Sequence, residues 1–280
     1  MTSRRFPLSG LLLVAPALAM VAAMFVFPFV LSVVSAFSSP AGAPTLANFA
    51  KAFELYSGDI AFTLLIVGLS TVLIALASIA IAGTLTLSET PWLVTALAWL
   101  YRWPLFIPFI VAAQCMRTFL AKNGLMNNSF VTLGVLDPDS TQSFLDWRGI
   151  VITFAWKQTP FVALLLAGAM ASLDRATIEA ARNLGASRLR SLIEIVLPQV
   201  APTLLVGLVL SFVTMLSVLS VPLMVAGSQP TMMTVDMAFR INSYSDYPVA
   251  NALGVISYLF TALAAWVYLR HSLGQERGQP

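Results

Sequence analysis

Six stretches of the sequence are long enough and apolar enough to cross a lipid bilayer as helices. They are residues 9–37, 60–86, 103–121, 149–171, 197–225 and 250–269. A spanning helix needs about 20 mainly apolar residues, and the polar segments between these stretches are too short to fold as soluble domains. We therefore predict an all-α polytopic membrane protein, with six transmembrane helices in a single domain that covers residues 1–280.

The composition agrees with a protein that is solvated by lipid. Hydrophobic residues make up 59% of the chain and charged residues only 10%, with a mean hydropathy of +0.87. Soluble domains carry about 25% charged residues, so this composition would not cover a soluble surface. The net charge of +3 comes without the clustered basic stripes of a nucleic-acid-binding surface, and we expect no nucleic-acid partner.

The positive charges are distributed unevenly between the two sides of the predicted membrane. The side of the N-terminus holds nine arginines, the other side holds four Lys or Arg residues, and two more fall within or near the spans. Because cytoplasmic loops carry an excess of Lys and Arg, we predict that both termini lie in the cytoplasm. The nine are Arg4, Arg5, Arg102, Arg175, Arg182, Arg188, Arg190, Arg270 and Arg277.

The longest polar segment on the predicted cytoplasmic side is residues 172–196, which we call the elbow. Asp174 is a suitable N-cap for a helix over residues 175–184. Gly185 can adopt positive φ and end that helix, and Ser187 is a suitable N-cap for a second helix before the fifth span. The pattern predicts two short helices joined by a tight turn across the membrane face.

One side of the elbow is apolar and the other is charged. Ala180 and Ala181 would let another backbone approach closely, so the elbow suits insertion into a cleft on a partner protein. An ordinary loop that follows the positive-inside rule is the alternative. The apolar residues are Leu173, Ala176, Ala180, Leu184 and Leu189, and the charged ones are Glu179, Arg182, Arg188 and Arg190.

The elbow also carries a motif. Its residues Glu179-Ala180-Ala181, Gly185 and Ile195-x-Leu197-Pro198 resemble the E-A-A…G…I-x-L-P signature of binding-protein-dependent ABC importer permeases. Two other segments resemble the G-L-[LMI]-N and W-x-x-x-P-F patterns of the same family, namely Gly124-Leu125-Met126-Asn127, and Trp156 with Pro160-Phe161. The run Leu184-Gly185-Ala186-Ser187 resembles the branch of the family that serves polyamines, ferric ion, phosphonates and sulfate.

The resemblance implies a type I ABC importer permease of a bacterial inner membrane, in which the elbow is the coupling helix that docks on an ATPase subunit. The coupling residues would be Glu179, Ala180, Ala181, Arg182 and Gly185. The implied partners are a dimer of ATPase subunits, a second permease subunit and an extracytoplasmic solute-binding protein. ATP and Mg²⁺ would be bound by the ATPase, so no cofactor is expected in this chain. Closure of the ATPase would switch the permease between two access states.

The chain itself lacks the motif that would bind ATP. A P-loop needs a Gly-Lys-Ser/Thr sequence, and none of the three lysines follows a glycine. With one histidine and one cysteine, the sequence also offers no motif for a metal site or an intramembrane protease. We therefore expect a channel subunit without enzymatic activity and without a metal.

Two cations within the predicted spans are candidates for the translocation pathway. Lys157 lies in the fourth span and Arg117 in the outer half of the third. Charged residues inside a bilayer are costly and often functional, but both side chains could instead extend to the lipid headgroups. The substrate is expected to be a small polar solute: a phosphonate, a polyamine, an amino-acid-like compound or another small organic or inorganic ion. The two cations favour an anionic or zwitterionic one.

Small residues along one side of the fifth span are a second candidate for the pathway. They are Thr203, Gly207, Ser211, Thr214 and Ser217, of which the three last are the candidate pathway residues. Such stripes pack helices together or line a pathway, and both readings stay open. Pro222 and Gly227 would permit a break near the outer end of this span.

A transporter driven by an ion gradient is the alternative function. It would usually need an Asp, Glu or His within the membrane for coupling, and the predicted spans contain none. Loss of ATP-coupled uptake on substitution of Glu179 by Ala would separate the two, because the elbow has no role in gradient-driven uptake.

Overall fold

The computed structural model describes residues 8–226 and 230–276 of the chain. Within these ranges the chain is helical, with no strand and one isolated β-bridge between Ser38 and Pro44. Five helices there are long and apolar enough to cross a membrane, and a sixth span is formed when a bent pair of helical segments is counted as one. The prediction of an all-α protein with six spans is confirmed in this form.

The helices follow one another along the chain, with short π and 3₁₀ turns at several junctions. Their bounds are α1 Leu8–Val21, α2 Phe27–Ala36, α3 Ala47–Leu87, α4 Pro91–Leu100, α5 Phe109–Leu120, α6 Leu125–Thr132, α7 Trp147–Ala171, α8 Arg175–Asn183, α9 Arg188–Ser191, α10 Leu197–Ser217, α11 Ser220–Val225, α12 Met233–Tyr244 and α13 Tyr247–Glu276. The π turns are Ala22–Val26 and Leu192–Val196, and the 3₁₀ turns are Trp103–Phe106 and Pro138–Ser140.

The third predicted span, residues 103–121, is wrong as a single straight helix. The segment Pro91–Phe106 is instead bent by 111° relative to the segment that begins at Phe109. Pro108 has no N–H, so the carbonyl of Pro104 loses the partner that a continuous helix would give it. Hydropathy shows that this stretch is compatible with lipid, but it does not show where the helix breaks.

The fifth predicted span, residues 197–225, begins too late. The short helix α9, the π turn Leu192–Val196 and α10 form one candidate span, Arg188–Ser217. The second helix of the elbow therefore continues into the membrane instead of standing apart. Because of its polar side chains, this helix was predicted to lie separately on the membrane face.

The fifth predicted span also ends too late, because the helix stops at Ser217 and α11 follows as a separate piece. Pro222 lacks the N–H that would bond to the carbonyl of Val218 in a continuous helix. Thr234 Oγ1 donates to that carbonyl at 3.3 Å instead. The break that the sequence predicted lies just before Pro222, and Gly227 lies outside the described residues.

Helix α3 is much longer than the predicted second span, which began at residue 60. It has 41 residues, which corresponds to about 62 Å at 1.5 Å per residue, about twice the thickness of the hydrocarbon core of a bilayer. Charged residues such as Lys51 and Glu54 lower the hydropathy of its first turns without ending the helix. The helix therefore extends well beyond one bilayer thickness.

The chain divides into two compact units: one contains residues up to Ser57 together with Asp236–Tyr258, and the other contains the rest. Each is described by itself, and the single domain stays a prediction. In the first unit α2 is joined to α13 by a hydrogen bond of 2.8 Å from Ser32 Oγ to Asn251 Oδ1. The α1–α2 span has no buried residue in its most apolar window, so its surface is left for lipid or another chain.

A charged cluster holds the turn between α12 and α13 in the first unit. Asp246 accepts from Lys51 Nζ at 2.8 Å and from Arg240 at 3.4 Å. Burial by itself would raise the pKa of the Asp246 carboxyl. The hydrogen bond from Lys51 and the charges of Lys51 and Arg240 outweigh this effect, so the pKa lies below its usual range. The guanidinium of Arg240 also lies over the rings of Tyr56 and Tyr244. The start of α3 is thereby tied to the turn.

The core of the second unit is centred on α7. Phe154, Leu166 and Met215 are fully buried there, and a Cβ atom at Gly207 of α10 would lie 3.3 Å from Val162 Cγ1. Helices in lipid associate through close van der Waals packing between small residues. Gly207 therefore brings α10 against α7.

A buried carboxylate of α3 caps the start of α12. Asp59 accepts from the backbone N–H of Thr231 at 2.8 Å, and Thr63 Oγ1 accepts from that of Met233 at 2.9 Å. N–H groups at a helix start have no partner within the helix, and these two side chains supply one. Asp59 lies one residue before the predicted second span, so its burial was not predicted from the sequence.

The G-L-M-N segment has a structural role at the junction of α5 and α6. A Cβ atom at Gly124 would lie 2.5 Å from the carbonyl oxygen of Phe119. The Asn127 side chain is buried, and its amide donates to the carbonyls of Ala121, Lys122 and Gln142 at 2.8–3.2 Å. Glycine permits the close approach, and the asparagine amide satisfies the carbonyls of the loop.

Candidate functional site

The elbow has the local structure that its sequence predicts. Asp174 Oδ1 accepts from the N–H of Ala176 at 2.9 Å, so Asp174 is the N-cap of α8. Gly185 ends the turn with φ +86°. Ser187 Oγ accepts from the N–H of Arg190 at 3.3 Å and caps α9. Both caps and the glycine turn are confirmed.

The apolar side of the elbow is divided between two environments. Leu173 and Ile178 pack against the buried cluster around Met170. Leu184 and Leu189, by contrast, are 90% and 65% exposed. Packing against the chain's own spans therefore orients α8, and the turn presents an uncovered apolar surface.

The five predicted coupling residues lie on or next to α8. Glu179, Ala180 and Gly185 are exposed, and Ala181 is half-buried. Arg182 is also exposed, but its guanidinium is already engaged within the chain. The small side chains of the two alanines leave the backbone of α8 open to close approach from outside.

Glu89, in the loop between α3 and α4, is the partner of Arg182. Its carboxylate accepts from Arg182 on Oε1, and Arg188 Nη2 lies 2.7 Å from Oε2. We call this group the Glu89 clamp. The hydrogen bond from Arg182 and the charge of Arg188 lower the pKa of Glu89. The clamp is therefore present at neutral pH and is lost only as the pH falls through that lowered pKa.

An open cavity of about 840 Å³ lies beside the Glu89 clamp, bounded by α4 and by the ends of α3 and α7. Glu179 of α8 and Arg102, just after α4, also line it. The elbow and the first part of the bent span therefore border the same cavity, a juxtaposition that the sequence did not indicate.

Lys157 is buried in α7, with 6% of its surface exposed. Its Nζ donates to the carbonyl of Pro104 at 2.8 Å and to that of Leu105 at 3.3 Å, and it lies 5.0 Å from the centre of the Phe109 ring. The ammonium thus binds two carbonyls at the bend, and that of Pro104 also accepts from the N–H of Ile107 at 3.3 Å. The role of Lys157 in the translocation pathway stays a prediction.

Arg117 has a different environment, because it is exposed on α5. An apolar cavity of about 520 Å³ lies nearby, lined by Gln114, Thr118 and Trp156 among others. Both alternatives for Arg117, the pathway and the lipid headgroups, stay open.

The small residues of α10 are packed at one end of the stripe and open at the other. Ser211 is fully buried, and Gln158 Nε2 of α7 donates to its carbonyl at 3.5 Å. Thr214 is half-buried and Ser217 is exposed. The stripe is therefore a packing surface at Gly207 and Ser211, and its outer end remains the candidate pathway lining.

No group of three or more His, Cys, Asp or Glu side chains in residues 8–226 and 230–276 is arranged to hold a metal ion. Cys115 is an exposed free thiol. The absence of a metal and of a cofactor stays a prediction for the whole chain.

A family model for the binding-protein-dependent transport system inner membrane component matches residues 6–272. Among curated proteins, the chain is similar to the sulfoquinovosyl glycerol permease SmoG of Agrobacterium fabrum, 30% identical over 44% of this chain and 42% of that protein. It is also similar to the spermidine/putrescine permease PotB of Escherichia coli, 25% identical over 60% and 62%. The sulfate permease CysT of Salmonella typhimurium is 30% identical over 55% and 54%. The match thus spans 42–62% of these relatives' lengths.

Two solved structures share the fold. A chain of the bacterial alginate ABC transporter, in complex with an alginate pentasaccharide-bound periplasmic protein, superposes with a TM-score of 0.76 at 22% identity, over 92% of each chain. A chain of the MetNI methionine ABC transporter in an inward-facing conformation has a TM-score of 0.59 at 16% identity, over 76% of this chain and 92% of that one. With its spans and its E-A-A elbow, this chain has the type I ABC permease fold and belongs to the family of binding-protein-dependent transport system inner membrane components.

Proposed function

We propose that this chain is the permease subunit of an ATP-driven importer and forms the translocation pathway for a small polar solute that a binding protein delivers. The elbow carries the proposal. It presents Leu184 and Leu189 uncovered beside the exposed Glu179, on a chain that matches the family from residue 6 to 272. An exposed apolar patch with a polar rim is typical of a docking surface.

In this proposal the elbow docks on an ATPase subunit, which binds ATP and Mg²⁺. The exposed leucines fill a groove of that subunit, Ala180 and Ala181 let it approach the backbone of α8, and Glu179 meets a basic or polar group at the rim. Closure of two ATPase subunits displaces the elbow and moves the spans between two access states. A second permease subunit completes the pathway, and both termini lie on the same cytoplasmic side as the elbow.

The structure weakens the sequence-based expectation that the solute is anionic. Because Lys157 already binds backbone carbonyls, it favours an anionic solute less strongly than a free cation would. Arg117 still favours an anion or a zwitterion. The names of the relatives include a polyamine, sulfate and a sugar derivative, so we propose that the binding protein selects the solute.

Co-purification tests the proposed function. A tagged chain extracted in mild detergent should bring down an ATPase subunit together with a permease partner, which is either a second copy or a related chain. Glu179→Ala should abolish or strongly reduce recovery of the ATPase, because it removes the exposed charge of the docking surface. Glu54→Ala, an exposed glutamate on the predicted outer side, is the control and should retain the ATPase. A lone monomer without any ATPase would contradict the proposal, and so would gradient-driven uptake that Glu179→Ala leaves unchanged.

A further inference from the structure

Glu89 lies outside the elbow in sequence but forms ion pairs with two of its arginines. It lies in the loop between α3 and α4, and the hydrogen bond with Arg182 joins residues 93 positions apart in sequence. Arg182 belongs to α8 and Arg188 to α9, so the two arginines lie on either side of the Gly185 turn. One carboxylate therefore attaches both helices of the elbow to the same point of the chain.

We propose that Glu89 is a positioning residue that makes the elbow and the start of the bent third span move as one body. This inference rests on the proposed function, because it concerns how a displacement of the elbow by an ATPase reaches the membrane. Without the Glu89 clamp, the elbow would act on the spans through its covalent ends, α7 and α10, and through the packing of Leu173 and Ile178 against the cluster around Met170. With it, the elbow also displaces Pro91 and the helix α4 that begins there.

Helix α4 leads from the Glu89 clamp toward the bend of the third span. It has ten residues, or about 15 Å of helix, and the 3₁₀ turn Trp103–Phe106 follows it. Lys157 of α7 binds the bend through the carbonyls of Pro104 and Leu105. A short helical segment with a polar anchor at each end therefore connects the elbow to the interior of the bundle.

This role changes the assignment of Arg182. The sequence placed it among the residues that face the ATPase, whereas its guanidinium binds Glu89. Glu179 is exposed on the same helix. The charges of α8 thus divide into one that faces outward to a partner and one that holds the helix to its own chain.

Because the Glu89 clamp is exposed, salt should weaken it, whereas packing contacts should not respond to salt. The Glu89 side chain is 58% exposed and those of Arg182 and Arg188 are 43% and 49% exposed. Exposed ion pairs are weakened by salt, with a Debye length of about 8 Å at 0.15 M. The clamp should therefore loosen as ionic strength rises, while the packing of Ile178 against the core should not.

Distances between two spin labels test the inference in the full chain. Cys115 is the single cysteine, so Cys115→Ser gives a background without thiols. Ser88→Cys next to Glu89 and Asn183→Cys at the end of α8 then carry the labels. Glu89→Gln removes the charge that both arginines bind. Glu194→Gln is the matched control, because Glu194 is 57% exposed but pairs with Arg190, four residues earlier in the same candidate span Arg188–Ser217.

In low salt and without nucleotide, we expect one narrow distance distribution for the parent and for Glu194→Gln, and a distribution at least twice as broad for Glu89→Gln. Rising salt should broaden the distance distribution of the parent toward that of Glu89→Gln and leave the distribution of Glu89→Gln unchanged. Glu89→Asp should restore a narrow distribution, because it keeps the charge. Equal distributions for Glu89→Gln and Glu194→Gln would overturn the inference.

Nucleotide separates this inference from the proposed function. In the complex with its ATPase, ATP with vanadate should leave the label distance of the parent unchanged, because both labelled segments move together, and should shift it in Glu89→Gln. A shift in the parent would overturn the inference while supporting the docking of an ATPase. If no ATPase co-purifies, the proposed function fails, and the nucleotide-free comparison still decides whether Glu89 fixes the elbow.

Discussion

Lys157 and Glu89 are single charged residues that each bind two groups from a distant segment. Lys157 is 53 residues from the carbonyl of Pro104 that it binds, and Glu89 is 93 residues from Arg182. Among residues 8–226 and 230–276, the buried lysine binds neutral carbonyls and no carboxylate. Its charge is tolerated because a buried polar group with partners costs far less than one without.

Substitution of Lys157 tests its role in the bend. Lys157→Met keeps most of the side-chain volume but leaves the carbonyls of Pro104 and Leu105 without the ammonium. The carbonyl of Pro104 keeps the N–H of Ile107 at 3.3 Å but loses its hydrogen bond to a charged group. Such a bond is worth about 1.5–3 kcal/mol, so we expect the free energy of unfolding in mixed micelles to fall by that order. Lys122→Met, at an exposed lysine, is the control and should change it by less than about 0.5 kcal/mol.

A second substitution, Pro108→Ala, tests whether the carbonyl of Pro104 accounts for the cost of Lys157→Met. It supplies the N–H that a continuous helix would direct to the carbonyl of Pro104. In the Pro108→Ala background we therefore expect Lys157→Met to cost less than in the parent. An equal cost in both backgrounds would show that Lys157 stabilises the protein by some route other than its bond to the carbonyl of Pro104.

Helix bounds in this protein are decided by prolines and glycines more than by hydropathy. Pro108 bends the third span and Pro222 separates α11 from α10, and in each case a side chain from elsewhere binds the carbonyl four residues before the proline. Gly124 permits the tight junction between α5 and α6. Hydropathy identified the apolar stretches, but these three residues account for the breaks before α5, α6 and α11.

A methyl group at Gly124 should destabilise the junction between α5 and α6. The added Cβ would lie 2.5 and 2.6 Å from the carbonyl oxygens of Phe119 and Thr118, and backbone atoms cannot rotate away as a flexible side chain can. We expect Gly124→Ala to lower the free energy of unfolding by about 1–3 kcal/mol. Gly68→Ala is the control, since no atom lies within 4 Å of its Cβ position. Because alanine favours helix, a loss of stability in Gly68→Ala equal to that in Gly124→Ala would contradict this explanation.

On the scale of the whole molecule, much of the apolar surface is left uncovered by the chain itself. The most apolar window of the α1–α2 span has no buried residue, whereas that of α7 is 61% buried. Helix α7 therefore serves as the centre of the second unit, and the α1–α2 span leaves its most apolar window exposed. This distribution agrees with a subunit that functions in a membrane complex.

The orientation of the chain is tested by reporter fusions. Nine of the 15 Lys and Arg residues fall on the side of the N-terminus and four on the other, so we expect both termini in the cytoplasm. Green fluorescent protein fused after Pro280 should fluoresce, and alkaline phosphatase at the same place should be inactive. A fusion after Ser140, in a predicted outer loop, is the control and should show active phosphatase. The reverse pattern would contradict the topology and place the elbow on the wrong side for an ATPase.

The sequence by itself determined the features that depend on neighbouring residues. The caps at Asp174 and Ser187 and the turn at Gly185 were predicted and confirmed, because their bonds join residues within about one helical turn. The number of apolar stretches was predicted for a similar reason, since bilayer thickness sets the length of a span.

Only the tertiary structure decided which distant groups meet. Glu89 lies three residues after the end of the second predicted span, but its position between Arg182 and Arg188 depends on how α3, α8 and α9 pack. Lys157 was predicted to lie in a span, yet its partners became available only where Pro108 breaks another helix. Hydropathy reports the affinity of a segment for lipid, whereas a hydrogen bond or ion pair needs a defined distance and direction between two segments, and packing alone sets these.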